Sequence, residues 1–430
     1  MSFETATLES LCELVVDCPH STPEWTDEGI IVLRNQNIKN GVLDLSSPSF
    51  TNEDDYQKRI KRAVPRAGDI VFTREAPMGE VCMVPEGLKC CLGQRQVLLR
   101  PKSDVNGQYL FWALQSPYVQ QQIAWNEGTG STVSNVRIPV LKALNIPRIG
   151  NEDMIAKSLT DIASKLSLNT QTNQTLEQMA QAIFKSWFVD FDPVKAKMNG
   201  EQPEGMDAAT ASLFPEKLVE SELGLIPEGW EIKPIKDLCT KVQNGGTPKR
   251  NEKSYWDDGT IPWLTSGEVR QSIITAVENR ITQLGLDKSS AKWVPELSTL
   301  VALYGATAGE VSLTSIPLTT NQAVCALMPK KEHQWYNYLQ LKNRVAELAG
   351  KAVGSAQQNI SKGLVESTEV LSVPESLLEA FNSQVENLFR LRICNLNENV
   401  ELAKLRDTLL PKLLSGEIEL GLNEAVELEA

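Results

Sequence analysis

Arg34, Asn35 and Gln36 stand in a row behind a short apolar run that begins at Gly29. Each side chain offers paired hydrogen-bonding groups, as two-point recognition of guanine or adenine edges requires. Gln94 and Arg95 form a second such pair, and Arg74 is a further isolated donor. Farther along, Lys249 and Arg250 follow Asn244-Gly-Gly-Thr-Pro248, a loop composition that lets cations reach phosphates. Thr265 and Ser266 occupy the place of Arg34 and Asn35 in a second copy of the same pattern, Gln322-Ala323 the place of Gln94-Arg95, and Tyr304 that of Arg74. Ser131 and Ser355 each follow a glycine, where backbone N–H groups could approach a phosphate. The chemistry these residues suit is non-covalent recognition of base edges and phosphates.

Groups for covalent chemistry are missing. No Gly-x-x-x-x-Gly-Lys-Ser/Thr loop, no Gly-x-Ser-x-Gly elbow and no Asn-Pro-Pro-Tyr type loop occurs. The chain has two histidines, His20 and His333, and none of its eight cysteines form Cys-x-x-Cys, so a metal or disulfide framework is not expected. No catalytic residue and no metal ligand is therefore expected in this chain.

The elements that must position the donors occur twice. Gly79-Glu80-Val81 recurs as Gly309-Glu310-Val311, behind the strand-like runs Asp69–Thr73 and Thr299–Leu303. Gly130-Ser131 with Asn135 recurs as Gly354-Ser355 with Asn359, and Trp25 and Leu33 have the same spacing as Trp256 and Leu264. The repeat is about two hundred residues long, far beyond a solenoid unit of roughly 20–50. The expectation is an α+β chain of two similar globular modules, each followed by a long helix, related as a pseudo-two-fold internal repeat.

Each helix carries a seam with steps of three and four. The first runs Ile155, Leu159, Ile162, Leu166, Asn169, Asn173, Leu176, Ala180, Ile183, Trp187. The second runs Leu378, Phe381, Val385, Leu388, Arg392, Asn395, Asn399, Leu402, Arg406, Leu409, Leu413, with Leu391, Leu396 and Leu405 as a competing stripe. Heptads of this length predict that the two helices pair as an antiparallel coiled coil, with paired asparagines meeting near the middle to fix register. Asn151 is the expected N-cap of the first helix, Asp192-Pro193 its stop; Pro374 opens the second and Ser415-Gly416 ends it. A helix of about 40 residues spans about 60 Å, more than one DNA turn of roughly 34 Å. Both tails carry more large apolar side chains than one seam buries, which nominates Phe184, Trp187, Phe188, Leu409, Leu410 and Leu413 as a partner-binding surface.

Net charge is −13 over 430 residues, but nearly all of it falls on the helices and the segments behind them. The modules are close to neutral and carry local basic clusters, Lys58-Arg59-Ile60-Lys61-Arg62 with Arg66, and Lys249-Arg250 with Lys253. Phosphate contact depends on local cations, so the acidic total does not exclude DNA. No apolar run reaches the roughly 18 residues of a spanning helix, and Met1–Thr5 has no signal-peptide character, which predicts a cytoplasmic protein with no membrane partner.

The stretch Gly245–Glu268, with Gly305-Ala-Thr-Ala-Gly-Glu-Val311, the closing Leu410-Pro-Lys-Leu-Leu-Ser-Gly-Glu-Ile418 and Ala180–Pro193, resembles the specificity subunit of type I restriction–modification systems. The resemblance covers almost the whole chain; the first module departs from it by carrying Ser21-Thr22-Pro23 in place of Gly-Gly-Thr-Pro. It implies target-recognition domains at 1–150 and 228–374, spacer helices at 151–192 and 375–416, a linker at 193–227 and a tail at 417–430. It further implies that each domain reads one half of a split, asymmetric site, that the helices set the gap and dock two adenine-methylating subunits, and that a motor-nuclease subunit can join. The chain itself would hold no cofactor; S-adenosylmethionine and ATP/Mg would belong to the partners. A methylation-based defence complex without a nuclease, or a coiled-coil scaffold, are the alternative readings.

Overall fold

A computed structural model describes residues 3–125, 135–351 and 359–420. Ser131, Ser355 and the tail beyond residue 420 lie outside the described residues. The chain forms two compact units. One takes the chain up to Ser167 and again from Val400; the other is Leu168–Asn399. The division falls inside both long helices, Glu152–Phe188 and Glu375–Leu414, so each unit owns one half of each.

In the first unit an antiparallel sheet runs Cys12–Asp17, Gln96–Pro101, Ile70–Thr73, Val81–Met83. All four residues of Ile70–Thr73 are buried because both sheet faces are covered. Ile70 and Phe72 point into the cluster under the helices Gly107–Leu114 and Pro117–Trp125, whereas Val71 meets Leu33, Cys82 and Leu98 on the other face. A second sheet runs Cys90–Leu92, Ile30–Leu33, Phe50–Thr51, Trp25–Thr26, and its first pair is parallel. Arg59, placed in a basic cluster by sequence, is buried and paired with Asp55 at 2.7 Å. Burial pushes the Asp55 carboxyl up, but bonds from Arg59, Thr51 and the Glu24 amide outweigh it and hold the group below its ordinary value. Its stabilising contribution is complete at neutral pH and is lost as pH falls through that lowered value.

The second unit repeats this plan. Cys239–Asn244, Val324–Pro329, Thr299–Ala302, Val311–Thr314 and Ile273–Ile274 form one sheet; Asn279–Ile281, Ile261–Leu264, Leu318–Thr320 and Trp293–Val294 form the other. Tyr336 in the helix Gln334–Lys342 donates to Leu371 O at 2.7 Å, as Tyr109 in the first unit donates to Pro147 O at 2.9 Å.

The seams are buried as the heptads require. Every seam position is buried or half-buried, while Leu391 and Leu405 of the competing stripe are exposed. In the second unit Asn169 donates to Asn399 at 2.9 Å, Asn395 to Asn173 at 3.0 Å, and Arg392 to Glu177 at 2.6 Å. Partner numbers fall on one helix as they rise on the other, so the halves are antiparallel. In the first unit Leu413 and Leu414 enter the cluster that holds Ile155 and Leu159, in the same sense.

Three expectations about the helices are corrected. Asn151 has φ 66° and its amide reaches Leu420 O at 3.4 Å, so it is not an ordinary N-cap. The first helix ends at Phe188, before Asp192-Pro193, and Pro193 instead opens the short helix Asp192–Met198. The tail side chains are not an open partner surface. Phe184, Trp187 and Phe188 are buried with Trp230, Tyr336 and Phe381, at centroid distances of 4.9 Å (Phe188–Tyr336) and 5.0 Å (Phe188–Phe381). Leu413 is fully buried in the first unit's core, with Leu409 and Leu410 packed at its edge. The surplus apolar area of each tail is buried against the module of the other copy: the first helix's tail in the second module's core, the second helix's tail in the first module's.

All eight cysteines are free thiols, seven buried and Cys394 exposed. Burial pushes Cys12, Cys82, Cys90, Cys91, Cys239 and Cys325 up to about 12, which suppresses thiolate formation. Labelling the native chain with a maleimide should therefore modify Cys394 alone, and denaturation should expose the rest. Mass spectrometry of the labelled peptides checks this; rapid native labelling of Cys82 or Cys325 would contradict the packing.

Candidate nucleic-acid interface

The first module's donors meet because two parallel strands end side by side. Leu33 closes Ile30–Leu33 and Leu92 closes Cys90–Leu92, and Gly93 N donates to Leu33 O at 2.8 Å. A Cβ on Gly93 would stand 2.6 Å from Leu33 O, so this approach needs glycine. The turns that follow, Asn35–Asn37 and Gly93–Arg95, then line one cleft of about 350 Å³ with Pro23, Trp25 and Ala76. Arg34, Asn35, Gln36, Gln94 and Arg95 all line it.

Their partners separate free groups from fixed ones. The Arg34 guanidinium lies 5.1 Å over the Trp25 ring, and Nη1 touches Ser49 Oγ at 3.2 Å. Asn35 Nδ2 donates to Glu75 O, leaving a buried Oδ1 without a partner. Gln94 Nε2 donates to His20 O at 2.6 Å. Arg95, at φ 68°, pairs with Glu75 at 3.3 Å. Arg74 is not at the site: it bonds Asp17 at 2.9 Å and Val136 O at 3.0 Å, and its side chain is 12% exposed. It fastens the end of one strand to its neighbours.

The second module builds the same frame with other side chains. Asn321 N donates to Leu264 O at 3.0 Å, and Ser266–Arg270 forms the matching turn. Thr265 is used as a cap, its Oγ1 on Glu268 at 2.9 Å, where Asn37 Oδ1 accepts from Arg34 N at 3.0 Å in the first module. Ser266 is half-buried beside it. Gln322 accepts from Thr247 Oγ1 at 2.7 Å; Lys249 and Arg250 are exposed. Backbone bonds correct one sequence correspondence. Arg74 N donates to Arg95 O and Leu303 N to Ala323 O, both at 2.8 Å, so Arg74 matches Leu303, and Glu75 matches Tyr304. The bridges Glu75 to Asn135 and Tyr304 to Asn359 agree. Sequence reading missed Trp25 and Trp256 as shelves for arginine, although their shared spacing from Leu33 and Leu264 was the available signal.

Among the described residues no group of three or more His, Cys, Asp or Glu side chains could hold a metal ion, and no helix is long and apolar enough to cross a membrane. The geometry suits recognition of base edges and phosphates.

The sequence profile of the type I restriction modification DNA specificity domain matches this chain twice, over residues 2–178 and 227–377. The chain belongs to that family. It is 30% identical over 421 residues to the type I restriction enzyme HindI specificity subunit of Haemophilus influenzae, covering 86% of this chain and 90% of that one. It is 26% identical over 358 residues to the MjaIX specificity subunit of Methanocaldococcus jannaschii, covering 82% and 78%. The crystal structure of the type I S subunit from M. genitalium shares its fold, with a TM-score of 0.61 over 96% of each chain at 16% identity.

Within this specificity-domain chain the Gly-Gly of the second module is a packing requirement. A Cβ on Gly245 would lie 1.9 Å from Thr320 O, and one on Gly246 2.0 Å from Ser290 Oγ. Gly245→Ala should cost about 3 kcal/mol through overpacking. Gly267→Ala, whose nearest neighbour is 3.8 Å away, should cost far less. Thermal unfolding of both variants checks this, and equal melting temperatures would contradict it.

Proposed function

We propose that this chain supplies the DNA address of a type I restriction–modification complex and performs no bond chemistry itself. Each module reads one half of a split, asymmetric duplex site, and the paired helices set the gap and dock two adenine-methylating subunits, to which a motor-nuclease subunit can be added. S-adenosylmethionine and ATP/Mg would act on those partners, in the cytoplasm. One observation carries the reading: the same frame, a strand end abutting a parallel neighbour and followed by a turn, recurs in both modules with different side chains, Arg34-Asn35-Gln36 in one and Thr265-Ser266-Gly267 in the other. A duplicated frame with divergent donors is what two different half-sites demand. Type I specificity subunits among its relatives support the same conclusion.

The full chain with its methylating partner should bind a bipartite duplex with an affinity that falls linearly as log salt rises. Lys249→Ala should weaken all duplexes alike and reduce the salt slope by about one. The chain alone should transfer no methyl group. Methylation or cleavage by the pure chain, or equal affinity for every duplex sequence, would overturn the proposal.

A further inference from the structure

An arginine lying on a tryptophan occurs in both modules, yet it arises from unrelated positions in the chain. In the first module Arg34 follows the strand Ile30–Leu33 and covers Trp25 at 5.1 Å. The matching residue in the second module is Thr265, which is consumed as a cap and cannot fill that role. Arg250, from the loop ahead of the strand, lies instead over Trp256 at 4.5 Å and Trp263 at 4.8 Å. The two segments that present these tryptophans are fastened alike: Thr51 Oγ1 donates to Glu24 O and Thr282 Oγ1 to Ser254 O, each at 2.8 Å. Trp25 and Trp256 are therefore comparable shelves, and each carries one guanidinium.

The shelf of the second module is rigid. Trp256 and Trp263 meet edge to face at 5.0 Å, Trp263 Nε1 donates to Gly246 O at 3.0 Å, and Trp256 Nε1 donates to Lys249 O at 3.0 Å. Both indoles thus pin the loop that ends in Arg250. The Arg250 side chain is exposed, and the contacts that hold its guanidinium are the two indole rings. The exposed Arg250 guanidinium sits in the corner between two perpendicular rings, and its N–H fork matches the O6 and N7 acceptors of guanine. A phosphate contact would act alike on every sequence and appear in the salt slope, whereas a base-edge contact acts at one base pair.

Resting on the proposed reading of the chain as a DNA-specificity subunit, we propose that Arg250 is a guanine-reading residue of the second half-site, the functional counterpart of Arg34, and not a phosphate clamp. Lysine separates the two roles because it keeps the charge and loses the fork. The full chain, assembled with its methylating partner, is tested on the duplex defined by mapping methylated adenines, with every half-site base pair replaced in turn. Arg250→Lys should lower discrimination at one G·C pair in one half-site by about ten- to a hundredfold and leave the salt slope unchanged. Arg34→Lys should do the same in the other half-site only. Circular dichroism confirms folding, and Arg250→Gln serves as a second variant with the same expected loss at that pair. Wild-type discrimination in Arg250→Lys, with uniform weakening in Arg250→Gln, would overturn the assignment, as would both lysine variants affecting the same half-site. Failure of the underlying reading would look different: the unaltered chain would then show no base preference.

Discussion

The buried polar layer between the two long helices is the constraint on which the remaining structure depends. Apolar seams alone tolerate sliding by a turn, because one leucine layer resembles the next. Asn173 with Asn395, Asn169 with Asn399, and Arg392 with Glu177 do not tolerate it, since a slip would strand buried amides and a buried guanidinium. Arg392 also donates to Ser272 Oγ at 3.0 Å, just beyond the turn Ser266–Arg270 that follows Thr265. In the second unit, then, helix register and the placement of the recognition turn are tied by one side chain.

The modules show how one frame supports two specificities. Close packing fixes the frame: Gly93 against Leu33 O, Gly245 against Thr320 O, and strands buried on both faces. The side chains of its turns differ between copies, Arg34, Asn35 and Gln36 in one and Thr265 and Ser266 in the other. Separation of scaffold from readout lets the recognised bases change without disturbing the core. Membership in the type I specificity-domain family fits a scaffold used in this way.

Much of this was legible in the sequence. The duplication, the strands around Val71 and Val301, and the heptad register could be read because periodic burial writes itself directly into residue type. The destination of the apolar tails could not be read. Leu413 belongs with Leu159, and Phe188 with Trp230 and Tyr336, contacts that only an antiparallel return of the chain creates. Arg74 was misjudged for a related reason. Its identity suggested a free donor, but Asp17 and Val136 O, far away in sequence, consume it. Its one-residue misalignment with Tyr304 was settled by backbone bonds, which residue types do not encode. The roles of Arg34 and Arg250 depended likewise on tryptophans whose contact with them sequence spacing only hinted at.

The central claim is that two readers act together on one duplex across an unread gap of set length. Methylation or binding by the assembled complex on duplexes that keep both half-sites but add or remove one base pair in the gap tests it most directly. One base pair rotates the second half-site by about 35°. The account predicts that affinity collapses for either change and that neither half-site alone restores it. Undiminished binding across several gap lengths would contradict it.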